Sequence, residues 1–186
     1  MNFGRFARRT SSAVLLAVLA GCAQDQPTAP TASTSSASRE AASAAPSPDG
    51  AKFLLVEEPA GAQNVIAVRT EAKNDDEIVV VGRIGGAVNP WVDGLAAFTL
   101  VDASAKACGE TDDDACPTPW DFCCEPGLGK KKISVEFVDE QGAVIPTDAK
   151  TLLGVKELDS VVIRGKARRD EAGNVTVLAT GLYVKK

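Results

Sequence analysis

Past residue 76 the chain falls into short apolar or alternating runs separated by turn residues, which is the pattern of β-strands. Glu77 to Ile84 (EIVVVGRI) is dense in β-branched residues, and its glycine marks a bend or a close approach. Gly85-Gly86 ends or kinks this run, and Asn89-Pro90 and Asp93-Gly94 supply turns. Leu95 to Asp102 (LAAFTLVD) reads as a second strand, with Trp91 between the two as a lid on the core. Ile133 to Asp139 alternates: Ile133, Val135 and Phe137 face one way, Ser134 and Glu136 the other. A turn follows at 140–142, and Val144-Ile145 begins a short strand or extended edge. In Ser160 to Arg169, Val161, Ile163, Gly165 and Ala167 share one face, while Arg164, Lys166 and Arg168 share the other. Asp170 to Asn174 is a hairpin turn. Val175 to Val184 is partly apolar on both faces, as in a closed or covered sheet. Two stretches have helical spacing instead. In Ala62 to Lys73, Val65, Val68 and Ala72 lie on one side; Asp148 can cap a brief helix through Ala149, Leu152 and Leu153 that Gly154 stops.

The order is therefore helix, two strands, a long loop, a strand, a short helix and two strands. Five main strands with a small helix between the third and fourth match a mainly β fold, a small Greek-key barrel of the oligonucleotide/oligosaccharide-binding (OB) type with one or two short helices. The runs VVVGRI and FTLVD resemble the opening hairpin of anticodon-binding-type OB domains. An open sandwich of strands is the alternative.

The N-terminal quarter has none of these patterns. Arg5, Arg8 and Arg9 precede the wholly apolar run Ala13 to Ala20, a positive head and short greasy stretch typical of a secretory signal. Eight apolar residues fall short of the about 20 that a membrane-spanning helix needs. Leu19-Ala20-Gly21-Cys22 resembles the lipobox of bacterial lipoproteins. The resemblance implies cleavage before Cys22, acylation of its sulfur with palmitate-type chains and a lipid anchor. Ala23 rather than Asp follows the cysteine, which by the same resemblance leans to the outer over the inner membrane. Residues 23–50 are dominated by Ala, Ser, Thr and Pro, without Leu, Ile, Val or an aromatic residue. Such a stretch has nothing to bury and reads as a disordered tether. The expected organisation is a signal peptide over 1–21, lipidated Cys22 and linker to 50, and the barrel over 51–186.

Composition narrows the chemistry. There is no histidine among the 186 residues, which removes imidazole acid–base catalysis and His metal ligands. No G-x-S-x-G, P-loop or dinucleotide fingerprint occurs, so no catalytic residue and no cofactor is expected, and the chain leans away from being an enzyme. The formal charge is -5, and cleavage before Cys22 removes three arginines and no acid. An acidic domain with two Trp, one Tyr and six Phe is a poor nucleic-acid binder. Arg164, Lys166 and Arg168, with Arg169 and Lys130–Lys132 nearby, are the candidate anion-binding strip; a solvated outer face is the plainer explanation.

The loop from 103 to 132 is the most distinctive segment. Cys108, Cys116, Cys123 and Cys124 fall within CGETDDDACPTPWDFCCEP. In an oxidising compartment four cysteines default to two disulfides. A vicinal Cys123–Cys124 bridge is strained, so pairs tying each to Cys108 or Cys116 are favoured. The rival is a metal held by the four thiolates, although the C-x7-C-x6-C-C spacing has no C-x-x-C arm. Thiol redox chemistry is a third option. Asp112, Asp113 and Asp114 are a solvated acidic run or, less simply, a calcium site without the EF-hand pattern.

The runs VVVGRIGG, CPTPWDFCC and VVIRGKARRDEAGNVTVLATGLYV give residues 60–186 a resemblance to uncharacterised envelope lipoproteins of planctomycete-type bacteria. That resemblance implies a periplasm-facing OB-like domain without known activity. The functional expectation is a membrane-tethered, non-enzymatic binding or scaffolding module of the cell envelope, with an envelope protein or glycan as partner. The alternatives are a metal-binding or thiol-redox protein and an OB domain for anionic ligands or nucleic acid.

Overall fold

The computed structural model describes residues 45–110 and 116–186. Five strands form the barrel: β2 (Glu77–Ile84), β3 (Ala97–Val101), β4 (Lys132–Phe137), β5 (Ser160–Arg169) and β6 (Val175–Val184). They are preceded by a two-residue strand, β1 (Gln63–Asn64), and by helix α1 (Val65–Glu71); helix α2 (Ala149–Leu153) lies between β4 and β5. Antiparallel pairing joins β2 to β3 and β3 to β4. β4 then runs parallel to β6, β6 antiparallel to β5, and β5 antiparallel to β2, which closes the sheet. This order, with one parallel pair and a helix before the fourth barrel strand, defines an OB-type Greek-key barrel. Closure leaves none of the five strands with an unpaired edge.

Two glycines make closure possible. β2 pairs with β5 through Arg83 and turns to β3 only at Arg83 and Ile84, so it bends at Gly82. A Cβ there would lie 2.5 Å from the Val101 carbonyl oxygen. At Gly165, where the β5–β6 register slips by one residue, a Cβ would lie 2.2 Å from the Leu178 oxygen. Both glycines sit where the alternating pattern places a strand, and in both cases backbone approaches too closely for any side chain.

The inward faces are those the alternation predicts. Val80, Ile84, Leu100, Val135, Ile163 and Leu182 are fully buried in one core, each contributing about 1.5–3 kcal/mol relative to exposure. A chain of rings runs through it: Phe53 meets Phe137 edge-on at 5.4 Å, Phe137 lies 6.2 Å from Phe98, and Phe98 lies 5.7 Å from Trp91. Trp91 lies partly over this core as a lid and donates its indole N–H to Glu157 Oε1 at 2.7 Å.

The helices differ from expectation at their ends. α1 is shorter than residues 62–73 because Asn64 caps it, accepting from the Ala67 N–H at 2.7 Å, and residues 63–64 pair with β2 instead. Its Val65, Val68 and the following Ala72 enter the core as the spacing predicts. Asp148 occupies the capping position of α2, but its carboxylate does not cap: it accepts the Gly94 N–H at 2.7 Å. The domain also begins earlier than residue 51. Ser47 donates its backbone N–H to the carbonyls of Thr151 and Leu152, so the last linker residues are bound to α2. Among the described residues, no helix is long and apolar enough to cross a membrane. The signal run, Cys22 and most of the linker lie outside the described residues, as does Asp112–Asp114.

Candidate functional site

Two features of the barrel surface carry chemistry: a groove on β3 and β4, and the cysteine loop between the same two strands.

The groove has a volume of about 300 Å³ and is lined by Arg69 of α1, Thr99 of β3, Lys132 and Ser134 of β4, and Asn174 of the β5–β6 turn. Thr99 and Ser134 are direct cross-strand partners on the outward face, which is why alternation makes both polar. Asn174 is held by Asp170, whose carboxylate accepts both its backbone and its amide N–H at 2.8 Å. Those bonds hold the Asp170 carboxyl below its ordinary range. Arg69 donates to the Lys132 carbonyl at 3.2 Å, and the Lys132 ammonium donates to the Gly86 carbonyl at 2.9 Å. Both cations are therefore positioned rather than free to sweep solvent. Hydroxyls, an amide and two cations thus line this cleft. No sequence motif marks it, because Arg69 and Asn174 are remote in the chain and meet only through the barrel.

The strip expected at Arg164, Lys166 and Arg168 does share the outer face of β5, but it is not purely basic. Arg168 pairs with Glu136 at 2.8 Å and Lys166 with Glu77 at 3.9 Å. Arg164 and Lys166 line a cleft with Glu77, Asp139 and Glu140, so its charge is mixed. Arg169 has another task. It donates to the carbonyls of Arg69, Ala72 and Gly173, closing the C-terminal end of α1.

The loop from 102 to 131 builds a small core of its own. Val101, Ala105, Ala107 and Phe122 cluster, with Leu128 and Leu158 against them. Phe122 is fully buried, and Arg83 lies 5.6 Å from its ring centroid. Gly85 makes room: a Cβ there would lie 2.5 Å from the Trp120 carbonyl oxygen and 2.7 Å from the Phe122 ring. Trp120 accepts the Gly86 N–H at 2.8 Å and donates its indole N–H to the Val88 carbonyl at 3.0 Å. At the loop entrance Asp102 is buried and accepts the N–H groups of Ile66 and Ser104. Burial alone would raise its pKa, but the bonds from Ser104, Ile66 and Val65 outweigh that and lower it. Glu110 pairs with Arg83 at 2.8 Å, and Glu125 with Lys131, so both acids hold the loop.

On this platform Cys108, Cys116, Asp121 and Cys123 bring their ligand atoms within 4.8 Å of one another. Cys108 Sγ lies 3.3 Å from Cys123 Sγ and 3.4 Å from Asp121 Oδ1. Cys123 Sγ lies 3.8 Å from Cys124 Sγ. These sulfurs are not bonded, since a disulfide needs about 2.05 Å. Asp121 is oriented twice: Oδ1 accepts the Cys123 backbone N–H at 2.8 Å, and Oδ2 accepts the Thr118 hydroxyl at 3.1 Å. These bonds, led by the Cys123 N–H, hold its carboxyl below the ordinary range. The Cys123 thiol is raised well above its ordinary range, first by its contact with Cys108 and then by Asp121 and Cys124. Three of the four expected sulfurs thus meet, and Asp121 completes the group that Cys124 was expected to complete. The spacing of Asp121 two residues before Cys123 was the available signal. It reads as function only once Phe122, between them, is seen to turn inward in the left-handed region at φ 56°.

The class of protein is thus an OB-type barrel with a polar groove on its β3–β4 face and a sulfur-rich appendage. No family model matches the chain, and no curated protein matches it. Among solved structures it is similar to the hypothetical protein ygiW from E. coli, at 14% identity and a TM-score of 0.35, covering 68% of this chain and 94% of that one.

Proposed function

We propose that this chain is a lipid-anchored, non-enzymatic binding module of the bacterial cell envelope, displayed on an N-terminal tether toward the periplasm. The observation that carries the binding reading is the place of the groove. It lies on the outer face of the second and third barrel strands beside the β5–β6 turn, the region where OB barrels take oligosaccharides and oligonucleotides. Its lining selects between those two. Hydroxyls of Thr99 and Ser134 and the Asn174 amide suit a hydroxyl-rich ligand, and Arg69 and Lys132 suit a single acidic group on it. Among the described residues, no aromatic side chain lines the groove for base stacking. The partner is therefore an acidic envelope glycan. The anchor rests on Leu19-Ala20-Gly21-Cys22 and the uncharged, apolar run before it.

The binding test is amide NMR of the soluble Cys22→Ser full chain titrated with a muramic-acid-containing glycan fragment. Shifts should centre on Thr99, Ser134 and Asn174 and vanish in Lys132→Glu. Shifts elsewhere, or none, overturn the groove assignment. The anchor is tested by metabolic labelling with an alkynyl fatty acid. The label and membrane fractionation should both be lost in Cys22→Ser; a native chain that stays unlabelled and soluble refutes the tether.

A further inference from the structure

We propose that Cys108, Cys116, Asp121 and Cys123 form a tetrahedral site for a zinc-class divalent metal ion, independent of the glycan groove. The donor set is three sulfurs and one carboxylate oxygen, all within 4.8 Å of one another. Sulfurs bound to a tetrahedral zinc at about 2.3 Å sit roughly 3.8 Å apart, and a sulfur–oxygen edge is slightly shorter. The observed Cys108–Cys123 and Cys108–Asp121 separations of 3.3 and 3.4 Å need only sub-ångström adjustment to fit those edges.

The local fold explains why these four converge. Phe122 is locked in the small core beneath Gly85, so the residues on either side of it, Asp121 and Cys123, present their side chains together. Cys108 is brought to them by the buried Ala105 and Ala107 and by its backbone N–H donating to the Pro119 carbonyl at 3.1 Å. Thr118 fixes the second oxygen of Asp121 and lies 3.8 Å from Cys116 Sγ, so it orients two ligands from outside the coordination sphere. A disulfide pair has no use for an oriented carboxylate. A divalent cation does, because it offsets the mutual repulsion of three thiolates and a carboxylate in one small volume. The hard oxygen donor favours zinc-class ions over copper(I), which prefers all-sulfur sites. On binding, each of the three thiols gives up its proton to solvent, and no oxidant or reductant is involved. Cys123 is exposed and Cys108 buried, so the ion would be held against the barrel and remain open to exchange from solvent.

The test uses the Cys22→Ser full chain under a non-thiol reductant, titrated with cobalt(II) as the spectroscopic probe and then displaced by zinc(II). Saturation at one cobalt per chain is expected, with tetrahedral ligand-field bands and sulfur-to-cobalt charge transfer, reversed by zinc. Cys116→Ser and Asp121→Asn should each weaken affinity by at least about tenfold. Asp121→Asn should leave the charge-transfer intensity of the saturated site unchanged, because it removes no sulfur. Cys124→Ser should change neither affinity nor spectrum. Absence of stoichiometric binding overturns the proposal. So does a Cys124→Ser loss equal to that of Cys116→Ser, or an Asp121→Asn chain that binds as tightly as the parent. Far-ultraviolet circular dichroism of each variant separates a lost ligand from a lost fold.

Discussion

The barrel and the cysteine loop each bury a phenylalanine completely, yet the two residues are supported very differently. Phe137 sits among residues from every barrel strand, with the Phe53 and Phe98 rings against it. Phe122 has a cluster of three small or medium residues, two partly buried leucines and a guanidinium. A closed sheet distributes its stability over many mutually supporting contacts. The loop relies on one anchor, two ion pairs and the sulfur cluster. The loop is therefore expected to open without unfolding the barrel, in the manner of a low-stability local unit.

The largest test of that difference is a pair of truncations. Phe137→Ala should cost about 3–5 kcal/mol of global stability. Phe122→Ala should remove a similar area but leave the barrel transition largely in place, showing instead as faster alkylation of buried Cys108. The two tryptophans make the regions separately visible, since Trp91 belongs to the barrel core and Trp120 to the loop. In chemical denaturation, Trp91→Phe isolates the loop signal and Trp120→Phe the barrel signal. If both probes report one transition in the parent chain, the regions form a single cooperative unit.

A smaller effect is expected from Gly85→Ala. The added methyl meets the Trp120 carbonyl and the Phe122 ring at distances no packed atoms tolerate, so the loop must lift. The cost is about 1–3 kcal/mol, as for other overpacked sites, and should fall on the loop signal.

How much of this was legible beforehand follows the same division. Alternation placed the inward faces of β4 and β5 residue by residue, because a half-buried strand forces period two. Gly82 was readable as a close approach, and Gly85-Gly86 as a break, but not what approached them. The loop resisted reading because its order comes from contacts with no periodicity. The spacing of Asp121 to Cys123 is local, but it marks a fourth member of the cluster only once Phe122 between them is placed in the loop core. Arg169 shows the same limit on the barrel. Its neighbours Arg168 and Arg164 face outward as the pattern requires, whereas Arg169 reaches two backbone carbonyls at the end of α1, a helix nearly 100 positions earlier, and a third in its own hairpin turn. Charge type is visible in a sequence; the partner that consumes the charge is not.

Asp102 joins the two regions, since it accepts from α1 and from the first residues of the loop. Its folded pKa is depressed below the ordinary 3.8 despite burial. The folded chain thus binds fewer protons than the unfolded one as the pH falls past that value. Its contribution is fully present above pH 3.8 and is lost as the pH falls through the folded pKa. Acid titration followed by circular dichroism should show that loss, and Asp102→Asn should flatten it while lowering stability near neutrality. An unchanged acid limb in Asp102→Asn would assign the loss to other carboxylates.

The smallest expected effects compare two ion pairs of equal length, one from each region. Arg83–Glu110 and Arg168–Glu136 both measure 2.8 Å. Length does not set their worth. The Arg83 side chain is 18% exposed against 48% for Arg168, while the partners reverse that order, Glu110 at 45% and Glu136 at 23%, so the contrast rests on how each arginine is held. Arg83 is further held by the Phe122 ring, and Glu110 also accepts the Ala107 N–H at 2.9 Å. An exposed pair gives up most of its attraction to solvent screening and side-chain entropy. A double-mutant cycle on Arg168 and Glu136 should therefore return a coupling of about 0.2–0.5 kcal/mol that fades in salt. The cycle on Arg83 and Glu110 should return about 1 kcal/mol, carried mainly by the loop transition and less sensitive to salt. Equal couplings, or a larger one at Arg168, would mean that the outer face of β5 is ordered more tightly than its exposure implies. The contrast between a self-supporting barrel and a pinned loop would then fail at its electrostatic end.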